Sequence, residues 1–278
     1  MENSALLIGI KKSGDCSMSN PVQFSNYTVL LVTEGEGVYH ADFGAFPFKG
    51  PILLFSTPLQ QIFLEETSDC KFTILQFHGD FYCIEFHRAE VSCNGLLFNN
   101  IYLEPAVGLT QAEAFLFAGI LTDIEAEFNA DETSDTVLRA YLQLFLAKSS
   151  SIKIRLMDSQ LQYEAKDEQM ERFITLLEAN YLTLHTPGDY AALLAMTTNN
   201  FSKRTARYFK KSPSALIQER IVMEAKKKLH LTRLSIKEIA YQLNFTDEYY
   251  FSRFFKKFTK VSPQSFRQLT GISKVADQ

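Results

Sequence analysis

Tryptophan is absent from this 278-residue chain, and cysteine and histidine are scarce. The four cysteines (Cys16, Cys70, Cys83, Cys93) are scattered, with no Cys-x-x-Cys pair. Reduced thiols in a cytosolic protein are the simplest expectation. No N-terminal stretch joins a basic region to an apolar core and a small-residue cleavage site. No apolar run approaches the roughly 18 residues that crossing a bilayer needs. A cytoplasmic protein with no membrane partner is therefore expected. His40, His78 and His87 include no His-x-His, so structural or surface histidines are expected rather than a metal centre. Nucleophile elbows, phosphate loops and paired catalytic carboxylates are all missing, and Glu65-Glu66 reads as a solvated strand end. Neither enzymatic activity nor a cofactor is expected.

Phenylalanine, by contrast, is abundant at 24 residues, and 46% of the chain is hydrophobic. The length accommodates one large domain or two medium ones. Charge divides the chain. Residues 169–278 carry 18 Lys and Arg against 9 Asp and Glu, whereas residues 1–168 carry 10 against 23. A basic half of that size suits a polyanion, and the acidic half does not.

Residues 1–104 read as β-rich. Apolar runs over 27–33, 38–43, 51–55, 60–64 and 72–77 are punctuated by Gly35, Gly37, Gly44 and Pro58, the spacing of a sandwich or barrel. The period then becomes helical. Ala114, Phe117, Leu121, Ile124 and Phe128 mark one helix. Val137, Leu138, Tyr141, Leu142, Phe145 and Leu146 mark a second, over about 136–148. Both carry more apolar surface than one small sheet needs, so a helix–helix partner interface is expected within 105–150. Polar residues 151–168 read as a linker. Seven helices follow, over about 169–181, 187–195, 198–210, 213–230, 235–243, 246–258 and 263–269.

Within those helices one pattern occurs twice, fifty positions apart. Phe201-Ser202-Lys203 precedes Phe209-Lys210-Lys211-Ser212-Pro213, and Phe251-Ser252-Arg253 precedes Phe255-Lys256-Lys257-Phe258 and Ser262-Pro263. In the second copy Ser235 and Glu238 form a capping box. Ile236, Ile239, Ala240 and Leu243 form a buried stripe, Asn244 suits a left-handed turn, and Thr246 is the expected cap of the next helix. There Tyr250, Phe251, Phe254, Phe255 and Phe258 form an anchoring face opposite a polar, cationic one sized for a major groove. In the first copy Thr197 or Thr198 caps the helix; Phe201, Thr205, Tyr208 and Phe209 face inward. A long helix striped with Leu216, Ile217, Ile221, Ala225 and Leu229 would fix the spacing of the two.

Residues 169–271 resemble the DNA-binding domain of the AraC/XylS family of transcription regulators. The resemblance rests on 219–226, on 234–245 (Leu-Ser-Ile-Lys-Glu-Ile-Ala-Tyr-Gln-Leu-Asn-Phe), on 250–257 and on 262–267. Asn244 and Lys260 stand where the family usually has Gly. Arg204, Thr205 and Ala206 replace a more apolar-then-basic stretch, which implies a first unit that reads DNA less specifically or holds its helix less firmly.

The resemblance implies base contacts from Asn199, Ser202 and Lys203 in the first unit. In the second it implies them from Glu248, Tyr249, Ser252 and Arg253. Arg253 is the strongest candidate, because arginine grips guanine O6 and N7 together. Arg207, Lys256 and Lys257 suit phosphates, as do Ser235 and Ile236 at a helix start. The family further implies an α+β chain, with a cupin-like β-barrel (1–104), helical dimerisation segment (105–150), linker (151–168) and seven-helix DNA-binding domain (169–271). Such a regulator, more often an activator, would meet operator DNA, a second copy of itself, RNA polymerase and a small effector. Tyr27, Tyr39, Phe43, Phe55 and Phe77 could line an effector pocket or form a packed core. A metal-dependent cupin enzyme and a ligand-independent architectural DNA binder are the alternatives.

Overall fold

The computed structural model describes residues 7–14, 17–42, 44–66, 68–82, 95–98, 100–130, 133–161 and 167–271. Two compact units emerge, one comprising 1–41, 45–100 and 105–159, the other 160–278 with the short segments 42–44 and 101–104.

The described residues of the first unit form nine strands: β1 (Ile8–Lys12), β2 (Val22–Gln23), β3 (Tyr27–Glu34), β4 (Glu36–Ala41), β5 (Gly44–Lys49), β6 (Ile52–Ser56), β7 (Gln61–Glu66), β8 (Lys71–Phe77) and β9 (Ala106–Gly108). They form a five-stranded sheet, ordered β1-β8-β3-β6-β9, and a four-stranded sheet, ordered β2-β7-β4-β5. Among the described residues these two sheets pack face to face.

Burial explains the layering. Six consecutive residues of β3 are buried, as in a strand covered on both faces. Val29 and Leu31 point to one side, with Leu53, Phe55, Leu75 and Phe77, against two helices, α1 (Gln111–Phe128) and α2 (Asp135–Leu161). Leu30 and Val32 point to the other side, with Leu54 and Ile74, against Tyr39, Phe46, Phe48, Ile62 and Leu64 of the smaller sheet. The larger sheet is thus the middle of three layers. Strand β5 alternates buried and exposed residues, and its Pro47 is tolerated because β5 lies at an edge. Gly35 links β3 to β4 at φ +105°, where a Cβ would stand 2.5 Å from the Cys70 Sγ. Only glycine fits there.

Helix α2 continues well past residue 148, so 151–161, expected as linker, are helical. The serines that suggested a break are accommodated: Ser149 is buried and donates its hydroxyl to the Phe145 carbonyl at 2.9 Å. Lys153 lays its stem in the packing and donates to the Ala106 carbonyl at 2.6 Å.

Of the five aromatics expected to line a pocket or form a packed core, four are described, and all four lie in packed cores. Tyr27, Phe55 and Phe77 belong to the helix-side core, with Tyr27 stacked on Phe77 at 5.3 Å. Tyr39 belongs to the core between the sheets. Phe43 lies outside the described residues. An open cleft of about 440 Å³ is lined instead by Ser13, Ser17, Met18, Glu66, Cys70 and Phe72, among others. Of the histidines, His40 stacks on Phe63 and bonds Glu65, His78 pairs with Asp80, and His87 lies outside the described residues.

The hydroxyl of fully buried Tyr39 donates to the Phe55 carbonyl at 3.0 Å. Tyr39→Phe is expected to lower stability by about 1 kcal/mol, measured by urea unfolding. Unchanged stability would contradict a structural role for that hydroxyl.

Candidate nucleic-acid interface

The second unit contains α3 (Glu168–Asn180), α4 (Pro187–Leu193), α5 (Thr198–Phe209), α6 (Pro213–Leu231), α7 (Ile236–Gln242), α8 (Glu248–Thr259) and α9 (Pro263–Thr270). These seven fall close to the expected boundaries. Helices α4–α5 and α7–α8 are two copies of one helix-turn-helix.

The two copies agree in detail. Thr186 and Asp189 form a capping box on α4, and Ser235 and Glu238 form one on α7. Both turns pass through the left-handed region, at Ala195 (φ 53°) and Asn244 (φ 60°). They close with equivalent backbone bonds, Met196 N–H to the Ala191 carbonyl at 2.9 Å and Phe245 N–H to the Ala240 carbonyl at 3.0 Å. The reading helices have the same length. Thr197 caps α5, accepting from the Asn200 amide at 3.3 Å. Asp247, not the expected Thr246, caps α8, accepting from the Tyr250 amide at 2.7 Å. Both end in a left-handed lysine, Lys210 and Lys260, before a Ser-Pro start to the next helix.

Aromatic burial orients each reading helix. Phe201, Thr205 and Phe209 of α5 are buried, with Phe201 edge-on to Phe173 of α3 at 4.9 Å. Phe251, Phe255 and Phe258 of α8 are buried, and Phe255 meets Phe266 of α9 at 5.5 Å. Two residues expected inside are not. Tyr250 is 52% exposed beside Phe245, and Tyr208 is 39% exposed with its hydroxyl donating to Glu171 at 2.6 Å.

Helix α6 holds the copies together. It packs against α4 and α5 on one side and against α7, α8 and α9 on the other, through buried Leu216, Ile217, Ile221, Ala225 and Leu229. Two arginines tighten this joint. Arg220 bonds Glu178 of α3 at 2.9 Å and Glu224 at 3.2 Å, with its guanidinium 3.8 Å from the Tyr181 ring centroid. Arg267 donates to the carbonyls of Leu229 and Leu234, fixing the segment between α6 and α7.

Against that frame the sequence-derived candidates share a property. Asn199, Lys203, Arg207, Tyr249, Arg253, Lys256 and Lys257 are exposed; Ser202, Glu248 and Ser252 are partly so. The side chains of Asn199, Ser202, Lys203, Arg207, Glu248, Tyr249, Ser252, Arg253 and Lys256 make no hydrogen bond or ion pair to any described residue, and Lys257 lies 5.3 Å from the Phe258 ring centroid. Ser235 and Ile236 stand at the start of α7, but the Ser235 amide and hydroxyl both donate to Glu238, each at 2.7 Å. Those bonds hold the Glu238 carboxyl below its usual range.

Arg204 is the residue whose role the sequence hid. It grips Asp167, with Nε 3.1 Å from Oδ2. Asp167 in turn caps α3, accepting from the Gln169 and Met170 amides. Arg204 thus ties α5 to the start of α3. Burial raises the Asp167 pKa, but bonds from Arg204 and the Met170 amide outweigh it and hold the carboxyl below its usual range.

Because its folded-state pKa is depressed, Asp167 contributes stability that is present above the ordinary aspartate value of about 3.9. That contribution is lost as pH falls through the folded value. Asp167→Ala is expected to destabilise the protein by about 1–2 kcal/mol near neutral pH, and the gap from wild type should close in acid. Thermal unfolding from pH 3 to pH 7 measures it; a gap independent of pH would contradict the assignment.

A family model described as a helix-turn-helix domain matches residues 190–269. The raffinose operon transcriptional regulatory protein RafR of Pediococcus pentosaceus is 24% identical over 131 residues, covering 47% of this chain and 44% of the relative. The match spans less than half of that relative's length. Among solved structures, an apo form of a ToxT variant from Vibrio cholerae aligns with a TM-score of 0.43 at 16% identity, over 96% of this chain and 98% of that one. The C-terminal domain of AraT, a response regulator from Geobacillus stearothermophilus, aligns with a TM-score of 0.36 at 26% identity, over 38% of this chain and 88% of that one. The family match shows a helix-turn-helix domain over residues 190–269, and that domain is similar to those of AraC-type regulators.

Proposed function

We propose that this protein is a sequence-specific transcription regulator that lays α5 and α8 into two adjacent major grooves of one operator duplex. The observation that carries this reading is the pair of matched helices, each anchored by an aromatic face, each presenting polar and cationic side chains most of which bond no described residue. In this domain other cations are engaged: Arg204 by Asp167, Arg220 by Glu178, Lys211 by Glu219 and Lys228 by Gln242. Cations left unengaged on one helix face are available to phosphates and base edges.

On this reading Asn199, Ser202, Lys203, Glu248, Tyr249, Ser252 and Arg253 meet base edges. Arg207, Lys256 and Lys257 meet phosphates, as do the amides at the start of α7. The N-terminal unit, a cupin-like module, controls the protein through dimerisation, a small effector or both. Support for a self-associating helical segment comes from α1 and α2, where Phe115 (83%), Leu144 (43%) and Ile154 (45%) are left exposed. An effector that favours one arrangement of the chain would shift its population. The regulator acts in the cytoplasm, with RNA polymerase as its partner if it activates. No helix among the described residues is long and apolar enough to cross a membrane.

Fluorescence anisotropy on a selected operator tests the proposal. Arg253→Ala should cost about 1–3 kcal/mol in discrimination against the wrong base. Lys256→Ala and Lys257→Ala should each weaken binding across all sequences and reduce the salt slope by about one. Binding that is independent of salt and of all three residues would overturn it.

A further inference from the structure

Counted from the caps Thr197 and Asp247, the two reading helices present equivalent positions outward. In α5 these are Asn199, Ser202, Lys203 and Ala206; in α8 they are Tyr249, Ser252, Arg253 and Lys256. At 3.6 residues per turn each set occupies one stripe opposite the buried phenylalanines. Serine is common to both, and the other three positions differ in chemistry.

The first stripe discriminates through an amide. Asn199 is exposed and makes no hydrogen bond to the described residues. A side-chain amide pairs bidentately with adenine N6 and N7. Ala206 adds a methyl surface of the kind that meets the thymine C5 methyl. Lys203 is a compact charge on a flexible stem, able to donate to a base or a phosphate, and so adds attraction more than discrimination. The first turn of α5 carries no acidic residue.

The second stripe discriminates through charge. Arg253 has the planar fork that matches guanine O6 and N7. The α8 helix starts with Asp247 as cap and Glu248 in its first turn. A carboxylate there repels phosphate and accepts from cytosine N4. Lys256 replaces the methyl of Ala206 with a cation.

We infer that the two half-sites differ in base chemistry, with an adenine read by Asn199 under α5 and a guanine read by Arg253 under α8. This rests on the DNA-reading function proposed above and specifies the substrate of that same surface.

Selection of the full-length chain on a randomised duplex library tests it. Wild type should enrich an adenine-containing half-site and a guanine-containing half-site. Asn199→Ala should lower the adenine preference about tenfold or more. The triple substitution Asn199→Tyr, Lys203→Arg and Ala206→Lys should turn the first half-site guanine-bearing and leave the second unchanged. The reciprocal set, Tyr249→Asn, Arg253→Lys and Lys256→Ala, should turn the second adenine-bearing, and circular dichroism checks that each variant is folded. Enrichment of two like half-sites by wild type, or swaps in folded variants that change neither half-site, would overturn the inference while leaving sequence-specific binding intact. Absence of any enriched sequence would overturn the regulator function itself.

Discussion

Helix α6 is gripped by both helix-turn-helix units, and that grip sets the direction in which each reading helix points. Its buried stripe of Leu216, Ile217, Ile221, Ala225 and Leu229 supplies the apolar attraction. Arg220, at 10% side-chain exposure, supplies the orientation through Glu178, Glu224 and the Tyr181 ring. A buried guanidinium with several partners adds little net stability, but losing one partner leaves an uncompensated charge. The joint therefore resists rotation more than it adds to stability. Arg267 does the same at the other end of α6 by holding two carbonyls.

Cations in this domain thus serve two purposes. Arg204, Arg220 and Arg267 are drawn inward and act as fasteners. Lys203, Arg207, Arg253 and Lys256 point outward and bond no described residue. Aromatic residues make the division workable: Phe201 and Phe209 in α5, and Phe251, Phe255 and Phe258 in α8, bury one side of each helix and leave the cations on the outward side. In the N-terminal unit the same abundance of phenylalanine fills two cores on either side of a shared sheet.

Much of this was legible in the sequence, for local reasons. Capping residues, left-handed turn residues and aromatic spacing are short-range signals, and they marked the C-terminal helices and Ser235 with Glu238. The Arg204–Asp167 pair was not legible, because its members lie far apart and Asp167 fell in a segment read as linker. Helix α2 was cut short because Ser149-Ser150-Ser151 looks like a break; Ser149 bonds back onto the helix instead. The Asp247 cap displaced Thr246 because both are good caps and only geometry chooses between neighbours. Strand β3 was evident as an apolar run, but its burial on both faces needed α1, α2 and the second sheet to be in place. The short β1, β2 and β9 and the edge strand β5 were missed because each carries little pattern of its own.

The central claim is that α5 and α8 engage one duplex together, on one face, with α6 as the spacer. Ethylation and methylation interference footprinting on a selected operator tests it most directly. The account predicts interference in two successive major grooves on the same face, centred about 10–10.5 base pairs apart, with both lost when five base pairs are inserted between them. Interference confined to a single groove, or unaffected by the insertion, would contradict it.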